Sequence, residues 1–314
     1  MGKRAQSAAC GDIYSEKRAD MRHFKKSEGG PRMSKQAAWR TDLALEAADT
    51  GDKSLPEGVF CETDRQDGVL RTTVKIETDA AAGRLGRPRG VYHTLEGPLS
   101  LREALCTQTA RLLKEALPDG EILVVGLGNG AVTPDALGPV TAQRVVATRH
   151  FFSEGETAGL AQSLRPVCCF VPGATGQTGM ETAELVKAVR RLGNFSAVVA
   201  VDALAARSAA RLGQTVQFSD TGIAPGSGVG NRRAELSRRT LGVPVFSLGI
   251  PTVIDAATLL HDFGARPPEN AAGMVVTPRD IDRVIHAGAE ILSTALNRAL
   301  QPSFTAEEIR LLME

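Results

Sequence analysis

Four apolar runs rich in β-branched residues, with helical patterns between them, constrain the fold more than any other feature of this chain. They are Ile122–Leu127, Val167–Val171, Ala197–Val201 and Val245–Ile250. None alternates with polar residues, so each reads as a strand buried on both faces. Helical spacing marks Leu99–Leu117, which stops before Pro118, and Glu181–Leu192. Further helices are predicted from about Asp135 to His150, over Ala203–Leu212, and over Asp280–Leu300 after the turn signal Thr277-Pro278. Residues 59–77 contain GVLRTTVKIE, which alternates like a half-buried strand. Continuous apolar strands alternating with helices predict an α/β fold: a mostly parallel sheet with helices on both faces.

The 314 residues show no internal repeat and no linker, so residues 43–314 read as a single α/β domain. Residues 1–42 read as a basic, flexible arm, because no period of 2 or 3.6 survives over residues 1–38. Over residues 1–40 there are 10 Lys and Arg against 4 Asp and Glu, whereas the rest of the chain carries a net −5. The whole is close to neutral at +1, which gives no general argument for nucleic-acid or membrane binding. No apolar run is long enough to cross a bilayer. The five cysteines lack CxxC or Cys/His metal spacing and read as reduced thiols in a cytoplasmic protein.

Two of the runs end in a loop that presents an aspartate. Ile122–Leu127 leads to Asp135 and Ala197–Val201 leads directly to Asp202. Open α/β sheets bind ligands beyond the carboxyl ends of their strands. Two carboxylates delivered there form a candidate acid/base pair, since neighbouring carboxyl groups cannot easily both ionise. Backbone N–H groups of Gly126–Gly130 and of Thr221–Gly230, including those of Gly128, Asn129, Gly222 and Gly228, are candidate oxyanion donors. Arg149, Arg232 or Arg233 is a candidate partner for an acidic substrate residue.

Other strings lead elsewhere. Gly126–Ala131 fits the dinucleotide pattern G-x-G-x-x-A after a strand, but Pro134 and Asp135 follow where the phosphate-binding helix should run, and the later acidic residue is missing. GATGQTG at 173–179 follows a strand in mid-chain without a Tyr-x-x-x-Lys. Both read as tight turns that need small residues. Asp220-Thr221-Gly222 copies the D-T-G of pepsin-like proteases once only, and opens a glycine-rich loop that could meet substrate. No G-x-S-x-G elbow and no paired histidine spacing occurs.

Taken together, RTDLALEA at 40–47, YHTLEGP at 92–98, VVGLGNGAVTPDALGP at 124–139, ATRHFF at 147–152, RPVCCFVPGATGQTGMET at 165–182, AVDALAAR at 200–207, SDTGIAPGSGVGNRR at 219–233, LGVPVFSLGIPTVIDA at 241–256 and MVVTPRDID at 274–282 resemble the germination protease family. The resemblance implies an atypical aspartic endopeptidase on a fold like that of hydrogenase maturation proteases, degrading small acid-soluble spore proteins in the spore core. It implies Asp135 and Asp202 as the catalytic pair, no cofactor or metal, no membrane or direct nucleic-acid partner, and a homotetramer. It also implies a self-processing zymogen. Family substrates are cut after the acidic residue of T-E-(F/I)-A-x-E, and Thr41–Glu46 copies that pattern, which predicts cleavage between Asp42 and Leu43. The arm before Arg40 is longer than the family's, and a stretch the family carries before MVVTP is reduced to Ala257–Gly273. Two rival readings differ in chemistry: a metal-assisted protease with His150 as third ligand, and a nucleotide-binding oxidoreductase using Gly126–Ala131.

Overall fold

The computed structural model describes residues 40–49, 55–152, 163–229, 234–271 and 273–312. Among the described residues nine strands form one sheet: β1 (Val59–Gln66), β2 (Val69–Ile76), β3 (Gly90–Glu96), β4 (Ile122–Gly126), β5 (Val167–Phe170), β6 (Ala197–Ala205), β7 (Thr215–Ser219), β8 (Val245–Asp255) and β9 (Val275–Val276). Their spatial order is β1-β2-β3-β7-β8-β6-β4-β5, with β9 on β8.

The α/β class holds, but the sheet is not mostly parallel. Three pairings are parallel (β4 with β5, β4 with β6, β6 with β8) and five are antiparallel. The four predicted apolar runs are the four parallel strands. The flank is antiparallel because its strands are joined by hairpins or lie beside returning chain. β1 and β2 are joined at Asp67-Gly68, both at positive φ, as the right-handed twist of a two-residue hairpin requires.

Helices cover both faces of the parallel strands. On one face α3 (Arg102–Ala116), α4 (Leu137–Ala142) and α9 (Ile281–Leu300) enclose a large apolar core with Ile122, Val124, Val199, Val201 and Leu248. On the other, Val186 of α6 (Thr182–Arg190) and Leu241 of α7 (Arg238–Leu241) pack with Leu123, Val125, Val198 and Ala200. The remaining short helices are α1 (Ala44–Ala48), α2 (Asp79–Leu85), α5 (Thr175–Thr178), α8 (Ala256–Asp262) and α10 (Ala306–Leu311). No helix among the described residues is long and apolar enough to cross a membrane.

Two predicted helices are corrected. Ala203–Leu212 begins as strand, because β6 continues through Ala205 against Gly249–Val253 of β8, and only the 3-10 turn Ala209–Arg211 follows. Pairing with a long neighbour overrides the helical preference of an alanine-rich segment. The helix expected over Asp135–His150 is confined to α4, flanked by 3-10 turns at Thr133–Asp135 and Arg149–Phe152. Predicted helices over 99–117, 181–192 and 280–300 correspond to α3, α6 and α9.

Of the expected arm, residues 1–39 lie outside the described residues. Residues 40–42 are fastened to the domain. Arg40 Nη1 donates to Asp255 Oδ2 at 3.2 Å, and the backbone N–H of Asp42 donates to Ala205 C=O at 2.7 Å.

Candidate active site

β4 and β6 run side by side, and their ladder extends one step beyond Gly126, where Leu127 N–H donates to Val201 C=O at 2.8 Å. Asp202 is the next residue of β6 and is 5% exposed. Its Oδ1 accepts the N–H of Ala203 at 2.9 Å.

Asp135 closes the 3-10 turn Thr133–Asp135, with Pro134 in the first turn, where its missing N–H costs nothing. Three contacts fix that turn against the loop after β4 and against β8. Asn129 N–H donates to Asp135 Oδ2 at 2.8 Å. Gly128, at φ +110°, lies so close that an added Cβ would stand 2.1 Å from the Asp135 carbonyl oxygen and 3.0 Å from its Oδ1. The third contact starts from a bulge. Pro251 of β8 has no N–H for the ladder, the register slips between Leu204 and Ala205, and the extra residue Thr252 donates its hydroxyl to Pro134 C=O at 2.7 Å. Glycines 126 and 138 let α4 approach. A Cβ on Gly138 would lie 2.2 Å from Leu127 C=O and 2.4 Å from Val201 C=O. Asp135, half-buried, therefore stands at the carboxyl end of β4, the level at which Asp202, buried, follows Val201, the partner of Gly126, within β6.

The glycines of Gly126–Ala131 are thus spent on close packing against α4 and Asp135, rather than on clearing space for a pyrophosphate. The second glycine string lies beside the first: Gln177 Nε2 of α5 donates to Asn129 Oδ1 at 2.7 Å.

Arg149 is not brought to this end. It pairs with Glu121, which precedes β4, donates to Leu192 C=O at 3.1 Å, and stacks over Phe195. That is the amino end of the strand whose carboxyl end carries Gly128. His150 follows Arg149 and packs its ring at a tilt against Phe151, so the third ligand of the metal-assisted reading also stands at the opposite end. Among the described residues no group of three or more His, Cys, Asp or Glu is placed to hold a metal ion. Arg232 and Arg233 lie outside the described residues.

Asp220 fastens two strand ends. Its Oδ1 accepts the N–H of Val91 at 2.8 Å, continuing the β3–β7 pairing. Thr221 shares a 3.1 Å hydrogen bond with Ser219, and Gly222 at φ +78° passes so near Leu236 C=O that a Cβ would stand 2.1 Å from it. Burial pushes the Tyr92 hydroxyl up to about 12, opposed by its hydrogen bond to Thr221.

The segment around Asp42–Leu43 is docked across β6 and β7. Asp42 Oδ2 accepts the N–H of Ala205 at 2.9 Å and Oδ1 the hydroxyl of Ser227 at 2.7 Å. The Gln217 side chain spans Leu43, donating to Asp42 C=O at 2.9 Å and accepting from Ala44 N–H at 2.8 Å. Leu43 is wholly buried with Leu204, Ala206 and Ile254. Gln217 is registered with Gly249, and Gly249 with Asp202, so the three lie in one row across β7, β8 and β6. Two strand spacings, roughly 10 Å, separate Gln217 from Asp202 at the backbone. Farther on, Glu46, 4% exposed, accepts from Thr41 Oγ1 and from the N–H groups of Arg207 and Ser208, and pairs with Arg211 Nη1 at 2.9 Å. Burial raises the Glu46 carboxyl above the usual range, against the pull of those donors. Sequence reasoning missed Gln217, Ser227, Arg87 and Arg211. The only signal was the match of Thr41–Glu46 to a substrate pattern, which marks a peptide that something must hold.

The sequence profile of the family described as germination protease matches residues 39–264. A germination protease of Caldanaerobacter subterraneus is 37% identical over 317 aligned residues, covering 87% of this chain and 98% of the relative. One from Clostridium acetobutylicum is 33% identical, with 86% and 97% covered. One from Priestia megaterium is 40% identical over 249 residues, with 72% and 66% covered.

Proposed function

The chain belongs to the germination protease family, and from that premise we propose that it is an endopeptidase that cuts small acid-soluble spore proteins after an acidic residue. Asp135 and Asp202 act as one acid/base pair. The ionised member takes a proton from a water molecule as its oxygen attacks the peptide carbonyl. The protonated member hydrogen-bonds the carbonyl oxygen and then protonates the departing nitrogen as the C–N bond breaks. The two carboxyls titrate as a pair, and the roles belong to the pair. The backbone N–H of Gly128 borders the same end of the strands and is a candidate for holding developing negative charge, whereas that of Asn129 is already given to Asp135 Oδ2.

The enzyme is made as a zymogen, cuts its own chain between Asp42 and Leu43, assembles as a homotetramer and works in the spore core without a cofactor. The observation that carries this reading is the delivery of one buried and one half-buried aspartate to the carboxyl end of the same strand pair, as the aspartate-pair chemistry requires.

Incubation with a purified small acid-soluble spore protein tests it, with wild type beside Asp202→Asn and Asp135→Asn. The wild type is expected to yield fragments ending in Asp or Glu and, by mass, an amino terminus at Leu43. Each variant is expected to lose about a thousandfold or more in rate, as for residues that act as a unit, while melting like the wild type. Full activity in either variant would remove the aspartate pair. An unchanged amino terminus in all three would remove the zymogen.

A further inference from the structure

Self-cleavage empties a particular space. Water's oxygen joins the Asp42 carbonyl carbon after the base takes one of its protons, the bond to the Leu43 nitrogen breaks, and that nitrogen receives a proton from the acid member of the pair. The piece ending in Asp42 then leaves, while the rest of the docked segment stays anchored by the Glu46–Arg211 pair and by Ala44 N–H on Gln217.

What remains where Asp42 lay is a nearly complete mould of one acidic residue in extended conformation. Ala205 offers its C=O and N–H, which held the Asp42 N–H at 2.7 Å and carboxylate at 2.9 Å. Gln217 Nε2 offers the donor that held the peptide carbonyl. Ser227 Oγ offers the second carboxylate donor. Gly228 forms the wall: a Cβ there would stand 2.3 Å from Asp42 Oδ2, so only glycine admits the carboxylate. Arg87 completes the mould. One guanidinium nitrogen donates to the Thr41 carbonyl, and Nη1 lies 4.0 Å from Asp42 Oδ1, too far for a hydrogen bond. Its Nε is buried and has no hydrogen-bond partner among the described residues. A cavity of about 620 Å3 opens beside Asp42 and Arg87, giving room for a longer side chain.

We infer that this cradle of Ala205, Gln217, Ser227, Gly228 and Arg87 is the subsite that takes the acidic residue ahead of the cleaved bond in substrates, and that Arg87 makes it select glutamate over the aspartate of the chain's own segment. The inference rests on the proposed self-processing protease. A glutamate carboxylate reaches about 1.5 Å farther than an aspartate's, enough to bring it into charge-assisted hydrogen bonding with Arg87. The chain's own Asp42 leaves that bond unmade, so the released segment competes poorly for the site it vacates.

Three peptides that differ only in Glu, Asp or Gln before the cut test this with the matured full-length enzyme; variants are matured by a trace of affinity-tagged wild type, then removed. The wild type is expected to prefer Glu to Asp by about tenfold in kcat/KM and Glu to Gln by about a hundredfold, the scale of charged hydrogen bonds. Arg87→Ala is expected to bring the Glu/Asp ratio to about 1. Gly228→Ala, whose methyl would stand where the acidic side chain lay, is expected to slow the Glu, Asp and Gln peptides alike. Ratios within one variant do not depend on how much of it is folded. An unchanged Glu/Asp ratio in Arg87→Ala, or equal cutting of Glu and Gln peptides by the wild type, would overturn the assignment. A wild type that cuts none of the peptides, nor its own chain, would instead overturn the protease reading beneath it.

Discussion

In the half of the sheet made of β5, β4, β6 and β8 the strands are parallel, with β4, β6 and β8 buried on both faces and β5 half-buried at the edge, whereas in β1, β2, β3 and β7 they are antiparallel and one face of β2 alternates outward. The parallel half ends in turns held by backbone contacts and glycine close approaches, and there the two aspartates stand. The antiparallel half meets it at Gln217 of β7, and along that seam the segment 40–49 is docked by side chains: Gln217, Ser227, Arg87 and Arg211. One half places reacting groups by packing that tolerates no added atom. The seam holds a peptide by charged and polar contacts that another peptide of the same chemistry could make. Rigid placement of the chemistry and exchangeable recognition of the substrate are what the proposed self-cutting protease would need from one sheet.

The seam is the easier region to break. Arg211, 6% exposed, bridges Glu46 at 2.9 Å and Glu96 at 3.1 Å. Arg211→Ala leaves a buried carboxylate without its cation, which costs about 3–5 kcal/mol. Calorimetry or denaturant unfolding is expected to show a destabilisation of that size, with residues 40–49 becoming accessible to an added protease. A loss below about 1 kcal/mol would mean that the segment is held by its leucines alone. The parallel half breaks by a different mechanism. At Gly138 an added methyl meets three backbone atoms between 2.2 and 2.6 Å away, and backbone cannot swing aside as a side chain does. Gly138→Ala is expected to cost about 3 kcal/mol, at the upper end for overpacking, and to lower activity further by displacing the Asp135 turn. Gly86→Ala in the flank is the sharpening control. Its φ of +62° is strained for alanine, but nothing lies within 4 Å, so the cost is about 1 kcal/mol. Equal losses at the two glycines would erase the distinction.

The same contrast decides what the sequence discloses. A strand buried on both faces must be apolar throughout, so Ile122–Leu127 and Val245–Ile250 announce themselves and their parallel pairing with them. β7, TVQFS, is wholly buried yet carries Gln217, and β3 carries His93 and Thr94. Gln217 and His93 are satisfied by partners remote in sequence, so no local period betrays them. Asp135 and Asp202 were legible as candidates because strand ends are where open α/β sheets work. The bulge at Pro251 that reaches Pro134 through Thr252 was not, since it is a pairing between strands 118 residues from the turn it holds. Arg149 was singled out for its charge, and the structure gives that charge to Glu121.

His93 shows how a polar residue survives in the flank, and its effect on stability is the smallest expected. It lies on β3 between Thr73 and Phe218, sharing a 3.0 Å hydrogen bond through Nδ1 with Thr73 Oγ1 and stacking on the Phe218 ring. Burial lowers its pKa below the usual histidine value, and the nearby Arg71 charge lowers it further. The native state therefore holds fewer protons on this ring than the unfolded chain does. Stability from a neutral His93 is present above the unfolded value, near 6.5, and is lost as the pH falls below it. His93→Phe keeps the stacking area and removes the proton site. The difference in unfolding free energy between wild type and this variant, followed from pH 7.5 downward, is expected to shift steadily in the variant's favour below about 6.5. All other titrating groups are common to both chains and cancel in that difference. A pH-independent difference would mean that the ring is solvated when charged, and that β3 faces water where the sheet places it against β2 and β7.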